Sequence, residues 1–219
     1  MTAIKICGLT RTEDARVAER AGASYLGVIL AGGPRLIDVD RAGDVLGPRR
    51  QSIQRVAVFG ERDIASIIAD ADRLDLDVMQ LHGDPTPEQV TLIRTRSGRA
   101  VWPVLRVEGR VLSADALDLA ASAGALVLDA KVVGQLGGTG VALEWNGLRD
   151  AVEALRTAVP GLTLIVAGGL RSSNVTRAMA LLAPDVVDVS SGVESAPGIK
   201  DSRAIEQFIA AVSTAKGTR

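Results

Sequence analysis

One pattern of hydrophobic and polar positions recurs along the whole chain. A short apolar run rich in β-branched residues is followed by Gly or Asp, and then by a longer amphipathic segment of Ala, Leu, Arg and Glu. Continuous apolar runs are typical of strands covered on both faces of a parallel sheet. The pattern predicts eight strands: Ala3–Cys7, Tyr25–Leu30, Arg55–Phe59, Val78–His82, Val101–Val107, Ala125–Asp129, Leu162–Ala167 and Val186–Ser190.

Helix-start signals stand between these strands. Ser, Thr, Asp and Asn accept hydrogen bonds from the free N–H groups of a first helical turn, and Pro suits that turn. Such signals occur at Thr12 with Glu13 and Asp14, Asp63, Thr86-Pro87-Glu88, Ser113 with Asp115, Asn146, Ser172 and Asp201. We therefore expect strand and helix to alternate, with a bulge at Pro103, which cannot donate to the ladder of its strand.

The spacing of the strands favours a closed barrel. Successive strands begin about 20 to 37 residues apart, the length of one βα unit, and eight units in 219 residues predict an α/β fold of the (β/α)8 TIM-barrel type. No linker of Pro, Gly and Ser divides the chain, so residues 1–219 are expected to form a single domain. An open, doubly wound sheet is the alternative, although no G-x-G-x-x-G motif follows the first strand.

Composition and charge narrow the class of protein. Apolar residues make up 47% of the chain but aromatic residues only 2%, so Val, Leu, Ile and Ala must fill the core. The single cysteine excludes an internal disulfide and a cysteine-based metal cage. A net charge of −1 and a pI near 5.9 argue against nucleic acid or an anionic membrane as partner. Without a signal-peptide pattern or a long apolar stretch, we expect a cytoplasmic protein.

Polar residues collect where the predicted strands end, which is where barrels of this kind carry their chemistry. Cys7 ends the first strand, His82 the fourth and Asp129 the sixth. Asp188 lies in the eighth strand, and Arg35 follows the second. Charged groups at the end of an apolar strand cost desolvation unless something there uses them. This rim is therefore predicted to be an active site.

Turns rich in Gly and Ser follow the last two strands, where barrels often bind phosphate through backbone N–H groups. Glycine lets the backbone approach the anion closely. The predicted phosphate-binding residues are Gly168, Gly169, Ser190, Ser191 and Gly192. The longest connection runs from Lys131 to Trp145 and contains GQLGGTG, which predicts a mobile lid over the rim.

These residues resemble one family, the phosphoribosylanthranilate isomerases of tryptophan biosynthesis. The matching segments occur in the family's order from residue 5 to about 201, and KICG together with DVSSGVE is the specific part. They are KICGLT with EDA, PR at 34–35, QLHG, VLDA followed by GGTG and EW, AGGL with NV, and DVSSGVE with PGIKD.

The resemblance implies an Amadori rearrangement of a small-molecule substrate, phosphoribosylanthranilate, by a monomer or homodimer. It implies that Cys7 is the general base, that Asp129 is the general acid, and that Arg35 binds the anthranilate carboxylate. His82 and Asp188 match positions that line the substrate pocket, and the two Gly/Ser turns match the phosphate site. One acid and one base suffice for this chemistry, so no metal or redox cofactor is expected.

Three further hypotheses concern Lys5, Lys131 and a barrel that binds its ligand without catalysis. Lys5 shares a strand face with Cys7 and can supply the positive charge that would lower the pKa of the thiol. Lys131 lies two residues past Asp129, where a lysine can form the Schiff base of an aldolase. A barrel that binds sugar phosphates without catalysis is the non-enzymatic alternative.

Overall fold

The strands of the chain close into a barrel. In the computed structural model, which describes residues 2–130 and 144–216, eight parallel strands pair in chain order and the last pairs with the first. This closure confirms the predicted fold and excludes the open sheet. The strands are β1 Ala3–Ile6, β2 Tyr25–Ile29, β3 Gln54–Phe59, β4 Val78–Leu81, β5 Ala100–Val107, β6 Ala125–Ala130, β7 Thr163–Val166 and β8 Val186–Val189.

Helices follow the strands and cover the outside of the barrel. The capping signals at three helices are confirmed. Asp63 accepts a hydrogen bond from Ser66 N at 2.8 Å, Thr86 forms a capping box with Gln89, and Asp201 accepts hydrogen bonds from the backbone N–H groups that begin the last helix, at 2.8 and 3.1 Å. The helices are α1 Thr12–Ala21, α2 Val39–Leu46, α3 Ile64–Arg73, α4 Pro87–Ser97, α5 Ala116–Ala123, α6 Trp145–Ala158, α7 Val175–Leu182 and α8 Ser202–Lys216.

Alternate side chains of each strand face the helices or the barrel interior, and this alternation divides the core into an outer and an inner part. Ile4 and Ile6 of β1 pack in the larger apolar cluster, with residues of the surrounding helices. The alternate residues of a strand point to the opposite face, so Lys5 and Cys7 share the barrel interior. Lower in the interior, Trp102 packs among Val, Ile and Ala side chains and meets Tyr25 edge-on at 5.0 Å between ring centroids.

The structure corrects the expectation of a bulge in β5. Pro103 lies in an unbroken strand that pairs with β4 through Pro103 and with β6 from Val104 onward. The residue without an N–H thus stands where the first ladder ends and the second begins. No ladder hydrogen bond needs to be bypassed there.

Three elements were not predicted from the sequence. Asp38 begins α2 and accepts a hydrogen bond from Arg41 N at 2.7 Å. A 3-10 turn, Ser191–Val193, follows β8 and leads into an antiparallel hairpin of β9 and β10. The hairpin strands are β9 Glu194–Ala196 and β10 Ile199–Lys200.

Two further expectations concern the connection after β6 and the presence of a membrane-spanning helix. The glycine-rich connection predicted to be a lid, and Lys131 within it, lie outside the described residues. Within residues 2–130 and 144–216, no helix is long and apolar enough to cross a membrane.

Candidate active site

A pocket opens at the carboxyl ends of the strands. The structure brings all ten residues predicted for the site to its wall. They are Cys7, Arg35, His82, Asp129, Gly168, Gly169, Asp188, Ser190, Ser191 and Gly192.

A buried ion pair lies beside the thiol of Cys7. Lys5 Nζ donates to Asp188 Oδ2 at 2.7 Å and to Gln80 Oε1 at 2.8 Å, and Lys5 is completely buried. An ammonium group has three N–H donors, so one is left over. The free oxygen of the pair, Asp188 Oδ1, is buried without a hydrogen-bond partner among the described residues, and Asp188 lines the pocket. It is an acceptor available to a ligand.

The effect of Lys5 on the thiol differs from the expectation. Burial raises the pKa of Cys7, and the charge of Lys5, which acts to lower it, is the smaller influence. Asp188 opposes Lys5 because its carboxylate repels a thiolate. The prediction of a lowered thiol pKa is therefore wrong, since the sequence showed the cation but neither the burial nor the paired carboxylate.

Asp129 and His82 face each other across the pocket wall. His82 Nε2 lies 3.2 Å from Asp129 Oδ2, and both side chains are nearly buried. Burial lowers the pKa of His82, but the hydrogen bond and charge of Asp129 outweigh it, so the net shift is upward. His82 Nδ1 is buried and finds no partner in the described part of the chain. The two groups form a pair that can share a proton.

Gly168 makes room for the side chain of Asp129. Its φ of +80° is in the left-handed region that favours glycine. A Cβ there would lie 2.7 Å from Asp129 Oδ1 and 2.7 Å from Ala130 N. Gly168, which was predicted as a phosphate residue, therefore also sets how closely β7 approaches the end of β6.

The two Gly/Ser turns pack directly against each other. A Cβ on Gly192 would lie 1.9 Å from the carbonyl oxygen of Leu170, so only glycine fits at this contact. Ser190 Oγ is buried and has no hydrogen-bond partner within residues 2–130 and 144–216. An unpartnered hydroxyl beside closely packed glycine turns is a suitable donor to an anion.

Comparison with known proteins decides between the hypotheses. The family model described as N-(5'-phosphoribosyl)anthranilate isomerase matches residues 4–211. The isomerase of Acidithiobacillus ferrooxidans is 39% identical over 213 residues, covering 97% of this chain and 98% of that protein. The Geotalea uraniireducens isomerase is 40% identical over 210 residues, covering 95% and 97%. The chain belongs to the phosphoribosylanthranilate isomerase family.

Solved structures of the isomerase family share the barrel. The crystal structure of the Thermotoga maritima isomerase has a TM-score of 0.82 and 29% identity, and the match covers 99% of this chain and 100% of that one. Another crystal structure holds the isomerase in complex with reduced 1-(o-carboxyphenylamino)-1-deoxyribulose 5-phosphate. It has a TM-score of 0.79 and 28% identity, with coverage of 99% and 100%.

In this member of the isomerase family, Arg35 is not a solvated loop residue. Its Nε and Nη2 donate to the two carboxylate oxygens of Glu194 at 2.8 and 2.7 Å. Lys200 Nζ donates to the same carboxylate at 2.7 Å. Glu194 and Lys200 lie in the DVSSGVE and PGIKD motifs, but no role for either residue was predicted from the sequence. Their charge within otherwise apolar or small segments was the available signal.

Family membership favours the isomerase over the aldolase and the non-catalytic barrel. The lysine of the aldolase hypothesis lies outside the described residues. Within residues 2–130 and 144–216, no group of three or more His, Cys, Asp or Glu side chains could hold a metal ion.

Proposed function

We propose that this family member uses Cys7 and Asp129 for the two proton transfers of its reaction. The reaction is the Amadori rearrangement of N-(5'-phosphoribosyl)anthranilate to 1-(2-carboxyphenylamino)-1-deoxy-D-ribulose 5-phosphate in tryptophan biosynthesis. The observation that carries the proposal is one pocket lined by the thiol, by the carboxylate and by two glycine turns. The solved relative bound to the reduced product supports the substrate class.

Asp129 protonates the oxygen of the sugar ring, and the ring opens to an imine. The Asp129–His82 pair must carry one proton for this step, because a free carboxylate has none to give. The hydrogen bond and charge of Asp129 raise the pKa of His82, which favours a proton held within the pair. After the transfer, the histidine ring stabilises the carboxylate that is left behind.

Cys7 then removes the proton from the carbon next to the imine. Its thiolate is the active form, and the resulting enolamine tautomerises to the ketone of the product. Burial raises the pKa of the thiol, so the thiolate is scarce at neutral pH but strongly basic once formed. The leftover ammonium donor of Lys5 favours that thiolate. We therefore expect the isomerisation rate to pass through a maximum as pH rises, because the Cys7 thiolate becomes more abundant while the Asp129–His82 pair loses its proton.

The remaining pocket residues hold the two ends of the substrate. The turns at Gly168–Gly169 and Ser190–Gly192 bind the phosphate, with the unpartnered Ser190 hydroxyl as one donor. Asp188 Oδ1 accepts a hydrogen bond from a hydroxyl of the sugar. Arg35 receives the carboxylate of the anthranilate ring through a charge-assisted pair.

A fluorescence assay tests this function. Phosphoribosylanthranilate is made in situ from anthranilate, and its loss is followed with the wild-type protein and with Cys7→Ala. The wild type should consume the substrate, and inorganic phosphate should inhibit competitively. Loss of substrate at the same rate with Cys7→Ala would remove the thiol from the mechanism, and no loss with either protein would overturn the isomerase function.

A further inference from the structure

One edge of the Arg35 guanidinium is already occupied. A guanidinium has five N–H donors, and two carboxylates can approach it from different edges. Glu194 takes the edge formed by Nε and Nη2, with donor–acceptor distances of 2.8 and 2.7 Å. Three N–H groups, on Nη1 and Nη2, are left for another acceptor. Arg35 is also one of the residues that line the pocket.

The charges around Glu194 do not balance. The carboxylate binds Arg35 and Lys200, and all three side chains are at most 8% exposed. Asp14, which accepts a hydrogen bond from Lys200 N, is matched by its own ion pair with Arg11. The buried cluster of Arg35, Glu194 and Lys200 sets two cationic side chains against one carboxylate, and burial lowers the pKa of Lys200. With Lys200 protonated, the cluster carries one excess positive charge. Such a charge is costly to bury without an anion.

The same cluster is joined to the phosphate turn. Lys200 Nζ donates to the backbone oxygen of Ser190 at 3.1 Å as well as to Glu194. Glu194 and Lys200 are also register partners in the β9–β10 hairpin. The hairpin thus fixes the position of Arg35, at one end of the pocket, relative to the glycine turn at Ser190–Gly192, at the other end.

We propose that Glu194, held by Lys200, is a positioning residue that fixes Arg35 so that its free Nη edge receives the substrate carboxylate. This inference rests on the proposed function, which assigns that carboxylate to Arg35. The substrate carboxylate is the anion that neutralises the excess positive charge of the cluster. Glu194 does not contact the substrate in this arrangement; it acts through Arg35.

Two ligands separate this role from a general structural one. The first is the reduced product, which carries the anthranilate carboxylate, and the second is the same compound made from aniline, which lacks it. Glu194→Gln should weaken binding of the first by about ten- to a hundredfold, the usual scale for a charge-assisted contact. Binding of the second, measured by calorimetry, and inhibition by inorganic phosphate should stay within about twofold.

Turnover and matched variants complete the test. Glu194→Gln should raise KM for the substrate while kcat changes little, and Glu194→Asp, which keeps the charge on a shorter side chain, should lose less. Arg35→Lys should weaken carboxylate binding as well, and adding Glu194→Gln to it should cost little more. Glu206→Gln, which removes an exposed charge from α8, should behave like wild type.

The outcomes are distinguishable. Equal weakening of both ligands in Glu194→Gln, or unchanged binding of the carboxylate ligand, would overturn the positioning role. If Glu194→Gln fails to fold, unchanged carboxylate binding by Glu194→Asp would overturn it in the same way. A wild-type protein that binds the ligands but turns over no substrate would instead overturn the proposed function.

Discussion

Replacing Cys7 by serine tests whether the thiol is the base. Lys5 gives two of its three donors to Gln80 and Asp188, and the third is available to a serine hydroxyl as it is to the thiol. Because the new side chain is no larger than the old one, the free energy of unfolding should change by only about 1 kcal/mol. A hydroxyl is a far weaker base near pH 7, so kcat should fall by about two to four orders of magnitude.

The assay pairs turnover with stability and chemical labelling. Loss of phosphoribosylanthranilate fluorescence gives kcat, and urea unfolding gives the free energy of unfolding. Cys7 is the only cysteine in the chain, so iodoacetamide labels one thiol. Burial raises the pKa of that thiol, so its alkylation should be slow at neutral pH and accelerate as the pH rises. Bound product should slow it further.

Cys7→Ala provides the decisive comparison. It removes both the base and the acceptor beside Lys5, so it should be at least as inactive as Cys7→Ser and somewhat less stable. A folded Cys7→Ala protein with turnover within a few-fold of wild type would refute the reasoning. The thiol would then be packing as a small apolar side chain.

Three further predictions address the acid, its partner and the phosphate turns. Asp129→Asn should lower kcat at least about a hundredfold with little change in KM; activity within a few-fold of wild type would exclude Asp129 as the acid. The pKa of His82 is raised on folding, so its protonation stabilises the fold below about pH 6.5, and this contribution is lost as pH rises through the folded value. The stability advantage of wild type over His82→Asn in urea unfolding should therefore shrink from pH 6 to pH 9, and a constant difference would contradict it. Gly169→Asp should abolish competitive inhibition by inorganic phosphate, and normal inhibition would place the anion elsewhere.

The sequence predicted the elements that follow from local pattern. Continuous apolar runs identify the strands, and strand ends in a barrel share one rim, which is why Cys7 and Asp129 could be placed together. The alternation of side chains along the first strand also placed Lys5 on the same strand face as Cys7. These inferences need only the order of residues within one strand and the closure of the sheet.

Partners from distant parts of the chain could not be predicted in this way. Arg35 and Glu194 are 159 residues apart in the sequence, and nothing in either segment names the other as its partner. The direction of the Cys7 pKa shift has the same origin, because it depends on burial and on Asp188 as well as on Lys5. Spacing along one strand reveals the nearby charge but not what neutralises it.

The glycines of the site show that a motif can identify a residue and still explain only part of why glycine is needed there. A Cβ on Gly168 would lie 2.7 Å from Asp129 Oδ1, and a Cβ on Gly27 would lie 3.1 Å from Cys7 Sγ. A Cβ on Gly8 would lie 2.6 Å from Arg35 Cδ. The proposed acid, base and carboxylate-binding cation each lie against a glycine from another part of the barrel. The absence of these side chains therefore sets the positions of the reactive groups, in addition to any approach of the backbone to phosphate.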